Sequence, residues 1–166
     1  EGCLNPADIL SRLSSIIKTS LHQDTDHVTS NDGLDASVCF VNTVEKTLTY
    51  AGSKLPLTYL KDDTVVTIKG DRQSIGYKKS DLNFKFTNHK VDIAEDMAFY
   101  LYTDGVIDQL GGDKYFSFGK KRFNNLLLEN SGKPLEEQKE KIVQVFQEYK
   151  GDHETLDDVT VIGFKV

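Results

Sequence analysis

The chain has 166 residues, and its 26 acidic and 20 basic side chains give a formal net charge of -6 at pH 7. This length is sufficient for one sizeable core, so we expect residues 1–166 to form a single domain. The acidic balance and the lack of a basic stripe argue against a nucleic-acid-binding protein, and no apolar run has the length of a transmembrane helix.

The first half of the chain predicts one helix followed by short strands. Apolar residues recur at helical spacing over residues 6–22, with Asn5 as the N-cap and Pro6 in the first helical position. The polar stretch 24–33 predicts a loop, and Glu45-Lys46 predicts a hairpin turn. The other predictions are strands at 36–42, 47–51, 55–60 and 64–69, a loop at 70–76, and one or two weaker strands within 84–93.

Cysteine usage indicates a reducing compartment. Cys3 and Cys39 are far apart in the sequence and lack the spacing of metal ligands. Cys39 lies in a predicted apolar strand, where we expect it to behave as a small buried hydrophobe. We therefore expect a cytoplasmic protein, and a membrane tether elsewhere in a longer gene product stays open.

The second half of the chain predicts a central strand, two helices and a last strand. The apolar run 97–102 predicts a buried strand, and Gly111-Gly112 predicts a break. A short helix is expected over 123–129, an amphipathic helix over 135–149 that ends before Gly151, and a final strand over 159–164. Because strands and helices come in blocks, we expect an α+β fold with mainly antiparallel sheets.

Two acidic motifs adjoin the central and final strands. Thr103-Asp104-Gly105 follows the first, and Asp157-Asp158-Val159-Thr160 leads into the second. If the two strands are antiparallel neighbours, the end of one meets the start of the other, and the carboxylates share one rim of the sheet. Carboxylates are hard oxygen ligands that suit Mg²⁺ or Mn²⁺. The motifs therefore predict a metal-dependent hydrolase.

Each acidic residue also has a plain structural interpretation. Asp104 would cap the short segment that follows it, with Gly105 allowing a sharp turn, and Asp157-Asp158 would be a solvated entry to the strand. Asp35 would be a solvated residue beside a turn, and Asp108 an exposed helix acid. The combination of two motifs at strand ends that meet is what favours the metal site.

Five segments of the chain, in order, resemble bacterial SpoIIE-type phosphatases of the metal-dependent protein serine/threonine phosphatase (PPM) family. The Thr-Asp-Gly and Asp-Asp-Val-Thr motifs are the most specific of them, and the Lys-Gly-Asp-Arg-Gln stretch favours the SpoIIE-type subgroup. The segments are 32–36, 50–57, 69–76, 101–109 and 157–160. The resemblance implies an α/β/β/α sandwich, in which two mainly antiparallel sheets are flanked by helices.

The resemblance also implies a function and its residues. Family members hold two Mn²⁺ or Mg²⁺ ions, and a metal-bridging water attacks the phosphorus of phosphoserine or phosphothreonine on a regulatory protein. By motif match, Asp104 and Asp157 would be catalytic metal ligands and Asp158 a further metal ligand, with Gly105, Asp35 and Asp108 as accessory candidates. The substrate would be of the anti-sigma-factor-antagonist type, in bacterial signalling, and a sensor or receiver domain would precede the phosphatase domain.

One family motif has no counterpart in the chain. The family pattern begins with a strand that ends in an Asp-containing, Gly-His-Gly-like motif, and its aspartate bridges both metals. We therefore expect the chain to be the C-terminal part of the domain, without the N-terminal strands; loss of that ligand, or its supply by another chain, would have the same effect. Metal binding should then be weak. The alternative is a non-catalytic phosphatase-like module for interaction or homodimerisation.

Overall fold

The computed structural model describes residues 5–25 and 31–166, so the predicted loop at 24–33 lies partly, and Cys3 wholly, outside the described residues. Two compact units divide the chain: the first comprises the described parts of Glu1–Leu57 together with Ile68–Ala94, and the second comprises Thr58–Thr67 and Glu95–Val166. In chain order the elements are α1 (Pro6–Ser20), β1 (Ser37–Asn42), β2 (Thr47–Gly52), β3 (Leu57–Lys61), β4 (Thr64–Ile68), β5 (His89–Asp92), β6 (Ala98–Tyr102), α2 (Asp104–Asp108), β7 (Leu110–Gly111), β8 (Phe116–Ser117), α3 (Gly119–Glu129), α4 (Leu135–Lys150) and β9 (Val161–Lys165).

The first unit packs α1 against an antiparallel sheet of order β1-β2-β5. The helix begins as predicted, because the Asn5 Oδ1 accepts a hydrogen bond from the Asp8 amide at 3.2 Å and Pro6 occupies the first turn. Buried apolar side chains of the helix, the sheet and the segment after β4 form the core of this unit: Ala7, Leu10, Ala51, Ile75 and Phe86.

The turn between β1 and β2 agrees with the sequence analysis, and the burial of Cys39 in β1 agrees with it in part. Lys46 has a φ of 51°, as a tight turn requires, so the predicted hairpin is confirmed. Cys39 is half-buried rather than fully buried, and desolvation raises the pKa of its thiol to about 11. The thiol is therefore protonated at neutral pH.

The second unit contains a sheet of order β4-β3-β6-β9, in which β6 and β9 are antiparallel. Their register pairs Ala98 with Lys165 and Tyr102 with Val161. The strand β6 is buried along most of its length, as its continuous apolar sequence predicts. The helices α2 to α4 cover this unit's core, whose largest buried side chains are Tyr100, Tyr102, Phe118, Phe123 and Leu127.

The long helix α4 is amphipathic, as predicted. Ile142, Val145 and Tyr149 pack against the core of the second unit, and the helix ends at Gly151, which has a φ of 55°. A buried hydrogen bond of 2.5 Å joins the Tyr100 hydroxyl to Gln138 near the start of α4. Burial raises the pKa of Tyr100 to about 12.

An additional hairpin and the starts of two elements illustrate where the structure departs from the predictions. The small hairpin β7–β8 was not predicted, because its strands have two residues each and lie in a glycine-containing stretch. The helix α3 begins at Gly119, four residues before the predicted start at 123, since its first turn is basic rather than apolar. The strand β9 begins at Val161 and not at 159, because Thr160 is bound through the Thr103 side chain as well as through the backbone.

The two mainly antiparallel sheets and their flanking helices confirm the predicted α+β class. No helix among residues 5–25 and 31–166 combines the length and apolarity needed to cross a bilayer.

Candidate functional site

The two acidic motifs meet at one end of the β6–β9 pair. Beyond the last ladder pair, Tyr102 with Val161, the Thr103 amide donates a hydrogen bond to the Thr160 carbonyl at 3.1 Å. The predicted antiparallel pairing of these strands is therefore confirmed, and with it the meeting of Asp104 and Asp157-Asp158 at one edge. We call these three residues the acidic rim.

The Thr103 side chain joins the two halves of the acidic rim. Its Oγ1 donates a hydrogen bond to the Asp158 carbonyl at 2.7 Å and accepts one from the Thr160 amide at 2.9 Å. Thr103 is also the N-cap of α2, yet its hydroxyl makes no hydrogen bond to that helix. The hydroxyl instead binds the segment that leads into β9. It thereby links two motifs that are 55 residues apart, and we call this pair of hydrogen bonds the Thr103 clasp.

Gly105 lets the start of α2 approach the second motif. A Cβ added at Gly105 would lie 2.5 Å from the Asp158 carbonyl oxygen and 3.2 Å from the Asp157 carbonyl oxygen. Gly105 lies within a helix and has no positive φ, so the predicted sharp turn is not the reason for glycine here. The reason is steric, because a side chain would push the two motifs apart.

The carboxylates of the acidic rim are exposed. Asp104 is the first residue of α2 and not its N-cap, which is Thr103, so the capping interpretation of Asp104 is wrong. The Asp157 Oδ1 accepts a hydrogen bond from the Asp158 amide at 2.7 Å. No lysine, arginine or histidine among the described residues forms an ion pair with the rim, so none of these groups relieves the repulsion between its charges.

The accessory candidates occupy different places. Asp108 is the last residue of α2 and is exposed, one turn beyond Asp104. Asp35 lies in the first unit, where its Oδ2 is 3.3 Å from the Lys54 Nζ and its Oδ1 is 3.4 Å from the Ser53 Oγ. Because Asp35 already has a cationic partner, it is a less available ligand than the unpaired carboxylates of the rim.

The carboxylate oxygens of the acidic rim are of the type that binds a hard divalent cation, but the described residues bring together too few ligands for a complete site. Carboxylate oxygens are the ligands that Mg²⁺ and Mn²⁺ prefer, and the rim supplies them without a competing ion pair among the described residues. However, residues 5–25 and 31–166 contain no group of three or more His, Cys, Asp or Glu side chains arranged to hold a metal ion. The described residues by themselves thus form no complete metal site.

Sequence reasoning missed two residues of this region. Thr103 belongs to a motif quoted above, but no role was predicted for its hydroxyl, which depends on contacts with residues 158 and 160. Gln109, which follows α2, donates a hydrogen bond to the Glu154 carbonyl at 3.0 Å. The available signal was the presence of both side chains within one of the family-like segments.

We expect Thr103→Val to lower the melting temperature of the protein without unfolding it, because the two halves of the acidic rim lose their connection through the hydroxyl. The change keeps the shape of the side chain but removes two hydrogen bonds, each with a net worth of about 0.5–1.5 kcal/mol. The melting temperature should fall by a few degrees, since about 1 kcal/mol corresponds to ~2–4 °C in a chain of this size. Thr103→Ser keeps the hydroxyl and is the matched control in thermal denaturation; equal melting temperatures for the two variants would contradict the clasp.

One family model accounts for the whole sequence. The model described as Stage II sporulation protein E (SpoIIE) matches residues 1–166. No curated protein sequence matches the chain.

Solved bacterial structures share the fold. The SiaA-PP2C domain of Pseudomonas aeruginosa is 33% identical, with a TM-score of 0.85 over 98% of this chain and 61% of that one. The Mn-presoaked phosphatase domain of the cell fate determinant SpoIIE from Bacillus subtilis is 13% identical, with a TM-score of 0.58 over 93% and 72%. The RsbU and RsbW domains of Rv1364c from Mycobacterium tuberculosis are 15% identical, with a TM-score of 0.69 over 95% and 40%. This chain thus spans 61% of the length of SiaA-PP2C, and the other two likenesses concern the fold alone.

Proposed function

This chain belongs to the SpoIIE family, and from that premise we propose that it is part of a metal-dependent protein serine/threonine phosphatase. The observation that carries the proposal is the junction of the two acidic motifs by Thr103 and Gly105. We propose further that both compact units belong to one phosphatase domain, of which this chain contributes the C-terminal part.

Within this proposal, Asp104 and Asp157 are the catalytic ligands that hold Mn²⁺ or Mg²⁺, and Asp158 is a further ligand. The exposure of all three carboxylates and their lack of a basic partner among the described residues support this role. Two bound ions would lower the pKa of a shared water and neutralise charge on the phosphoryl group. The chain itself contributes the orientation of the carboxylates, through Thr103, and room for their close approach, through Gly105.

The proposed substrate is a phosphoserine or phosphothreonine side chain of a regulatory protein of the anti-sigma-factor-antagonist type. Support comes from the family to which the chain belongs. The exposed position of the rim is compatible with a protein substrate, because the short phosphorylated side chain of serine or threonine can reach groups at the surface of the domain.

A second candidate function is a non-catalytic module of the same fold that binds a phosphorylated partner or a second copy of the chain. One observation favours it: the described residues bring together no three ligands for a metal ion. A rim with an incomplete shell binds metal weakly, with a dissociation constant on the order of 10⁻⁴–10⁻³ M by analogy with the weakest protein sites for hard cations.

The test is Mn²⁺-dependent release of phosphate from a phosphoserine peptide. It compares the wild-type chain with Asp157→Asn and with the control Asp152→Asn, which removes an exposed carboxylate outside the rim. Hydrolysis that Asp157→Asn abolishes and Asp152→Asn retains would support the phosphatase. The same assay on the full-length gene product tests whether the site needs ligands from outside this chain. If both forms are inactive with Mn²⁺ and peptide at millimolar concentration, the phosphatase proposal fails and the non-catalytic module is supported.

A further inference from the structure

The segment that carries Asp157 lacks a hydrophobic anchor. Residues 154–158, which we call the aspartate loop, lie between α4 and β9, outside any helix or strand, and all five are exposed. Leu156, its one large apolar side chain, is 64% exposed. Burial of apolar surface therefore does not hold the loop in place, and its position depends on hydrogen bonds.

Two side chains outside the aspartate loop supply these hydrogen bonds within the described part of the chain, one at each end. The Thr103 hydroxyl binds the carbonyl of Asp158, and the Gln109 side-chain amide binds the carbonyl of Glu154 at 3.0 Å. The remaining hydrogen bond of the loop is internal, from the Asp158 amide to the Asp157 carboxylate. Asp157 thus lies between two hydrogen-bonded residues, Glu154 and Asp158. Their partners, Gln109 and Thr103, flank the two ends of α2.

Gln109 is buried and is held by hydrogen bonds of both its backbone and its side chain. It is 2% exposed, and its backbone carbonyl accepts a hydrogen bond from the Phe118 amide at 2.8 Å. Its Nε2 donates to the Leu110 carbonyl at 2.9 Å as well as to the Glu154 carbonyl. The orientation of the amide follows from these partners, since the opposite orientation would set an oxygen against two carbonyl oxygens.

The oxygen of the same amide has no hydrogen-bond partner among the described residues. The Gln109 Oε1 is buried and accepts no hydrogen bond from the described residues. A buried acceptor without a donor is unfavourable, and an apolar side chain of the same shape would avoid that penalty. Gln109 is therefore a poor choice for packing alone, and what it uniquely provides is the Nε2 donor to Glu154.

We propose that Gln109 is a positioning residue of the acidic rim. It ties the start of the aspartate loop to the end of α2, while Asp104 stands at the start of that five-residue helix. The hydrogen bond to Glu154 thereby sets the separation between Asp104 and Asp157. The effect on metal binding rests on the proposed function, whereas the effect on the loop does not.

The test uses Gln109→Met, which matches the side chain in length and removes both the donor and the unpaired acceptor. We expect the NMR order parameters of the backbone amides of residues 155–158 to fall from about 0.85 to below about 0.6 in this variant, because the loop loses its attachment at Glu154. Mn²⁺ affinity, measured by electron paramagnetic resonance of the free ion, should fall about tenfold, as for other groups that orient metal ligands. Saturating Mn²⁺ should restore most of the phosphate release.

The control variant is Asn124→Leu, which removes another buried amide oxygen without a described partner, in α3. It should leave both the order parameters of the aspartate loop and the Mn²⁺ affinity unchanged. A measurement on the wild type needs no variant: the Gln109 side-chain amide protons should exchange slowly with solvent, since both of their acceptors are carbonyls in the protein.

The outcomes separate the two proposals. Unchanged order parameters in the loop of Gln109→Met, or rapidly exchanging Gln109 side-chain amide protons in the wild type, would overturn the positioning role. Equal Mn²⁺ affinities of wild type and Gln109→Met would overturn the claim that Gln109 sets the carboxylate separation. If the wild-type and full-length proteins bind no Mn²⁺ but the order parameters of the loop fall in Gln109→Met, the hydrogen bond to Glu154 is supported as the restraint on the loop and the metal-dependent function fails.

Discussion

Asp104→Asn should abolish Mn²⁺ binding and any Mn²⁺-dependent phosphate release while leaving the fold intact. Asn keeps the size of the side chain but removes the charge, and a neutral amide oxygen is a much weaker ligand for a hard cation than a carboxylate. Asp104 is exposed and pairs with no basic group of the described chain, so the free energy of unfolding should change by only about 0.5 kcal/mol.

The measurement is Mn²⁺ titration by electron paramagnetic resonance, alongside thermal denaturation of the same samples. Asp108→Asn is the matched control, because it removes an exposed carboxylate from the other end of α2. Equal loss of Mn²⁺ binding in the two variants would make Asp108 a ligand too. Retained Mn²⁺ binding in Asp104→Asn, together with a large fall in melting temperature, would mean that Asp104 is structural and that the site is wrongly identified.

Gly105→Ala should damage both the acidic rim and the stability of the second unit. The added Cβ would lie 2.5 Å from the Asp158 carbonyl oxygen, closer than carbon and oxygen atoms approach without a bond. The contacted atom is backbone, so it cannot rotate away as a side chain would. Alanine favours a helix over glycine by ~1 kcal/mol, but overpacking of this kind costs ~1–3 kcal/mol. We expect net destabilisation and at least tenfold weaker Mn²⁺ binding, as for other changes that displace metal ligands.

Gly132→Ala is the control for this substitution. Gly132 has no heavy atom within 4 Å of an added Cβ and no positive φ, so alanine there meets neither a clash nor backbone strain. It should be neutral or stabilising by up to about 1 kcal/mol, through the unfolded state. Urea denaturation and Mn²⁺ titration of both variants test the expectation. A Gly105→Ala protein as stable and as metal-competent as Gly132→Ala would show that close approach at Gly105 is not required.

Long elements with a strong periodic pattern agree with the sequence analysis. The helix α1 has a capping residue, a proline and an apolar stripe that all specify the same start, and α4 has an apolar face and a terminal glycine. The strand β6 is a continuous apolar run between polar segments. In each case the local signal and the burial pattern agree, so propensity and packing lead to the same structure.

Short elements and those whose ends depend on distant partners were less predictable. The two-residue strands β7 and β8 carry too few side chains for a period to be recognised. The late start of β9 depends on Thr103, which is 57 residues before Thr160. Likewise, Val159 and Thr160 are both β-branched and fit a strand by local preference. The contact of Thr160 with Thr103 is what places them at the junction of the two motifs.

The sequence by itself determined the residue types of the acidic rim, the two strand ends on which they stand and the family to which the chain belongs. These depend on local patterns and on motif order. The tertiary structure decided how the rim is held: by the Thr103 clasp, by the absence of a side chain at Gly105 and by the buried Gln109 amide. All three depend on contacts with residues more than 40 positions away, and the pairing of β6 with β9 is what brings those residues together.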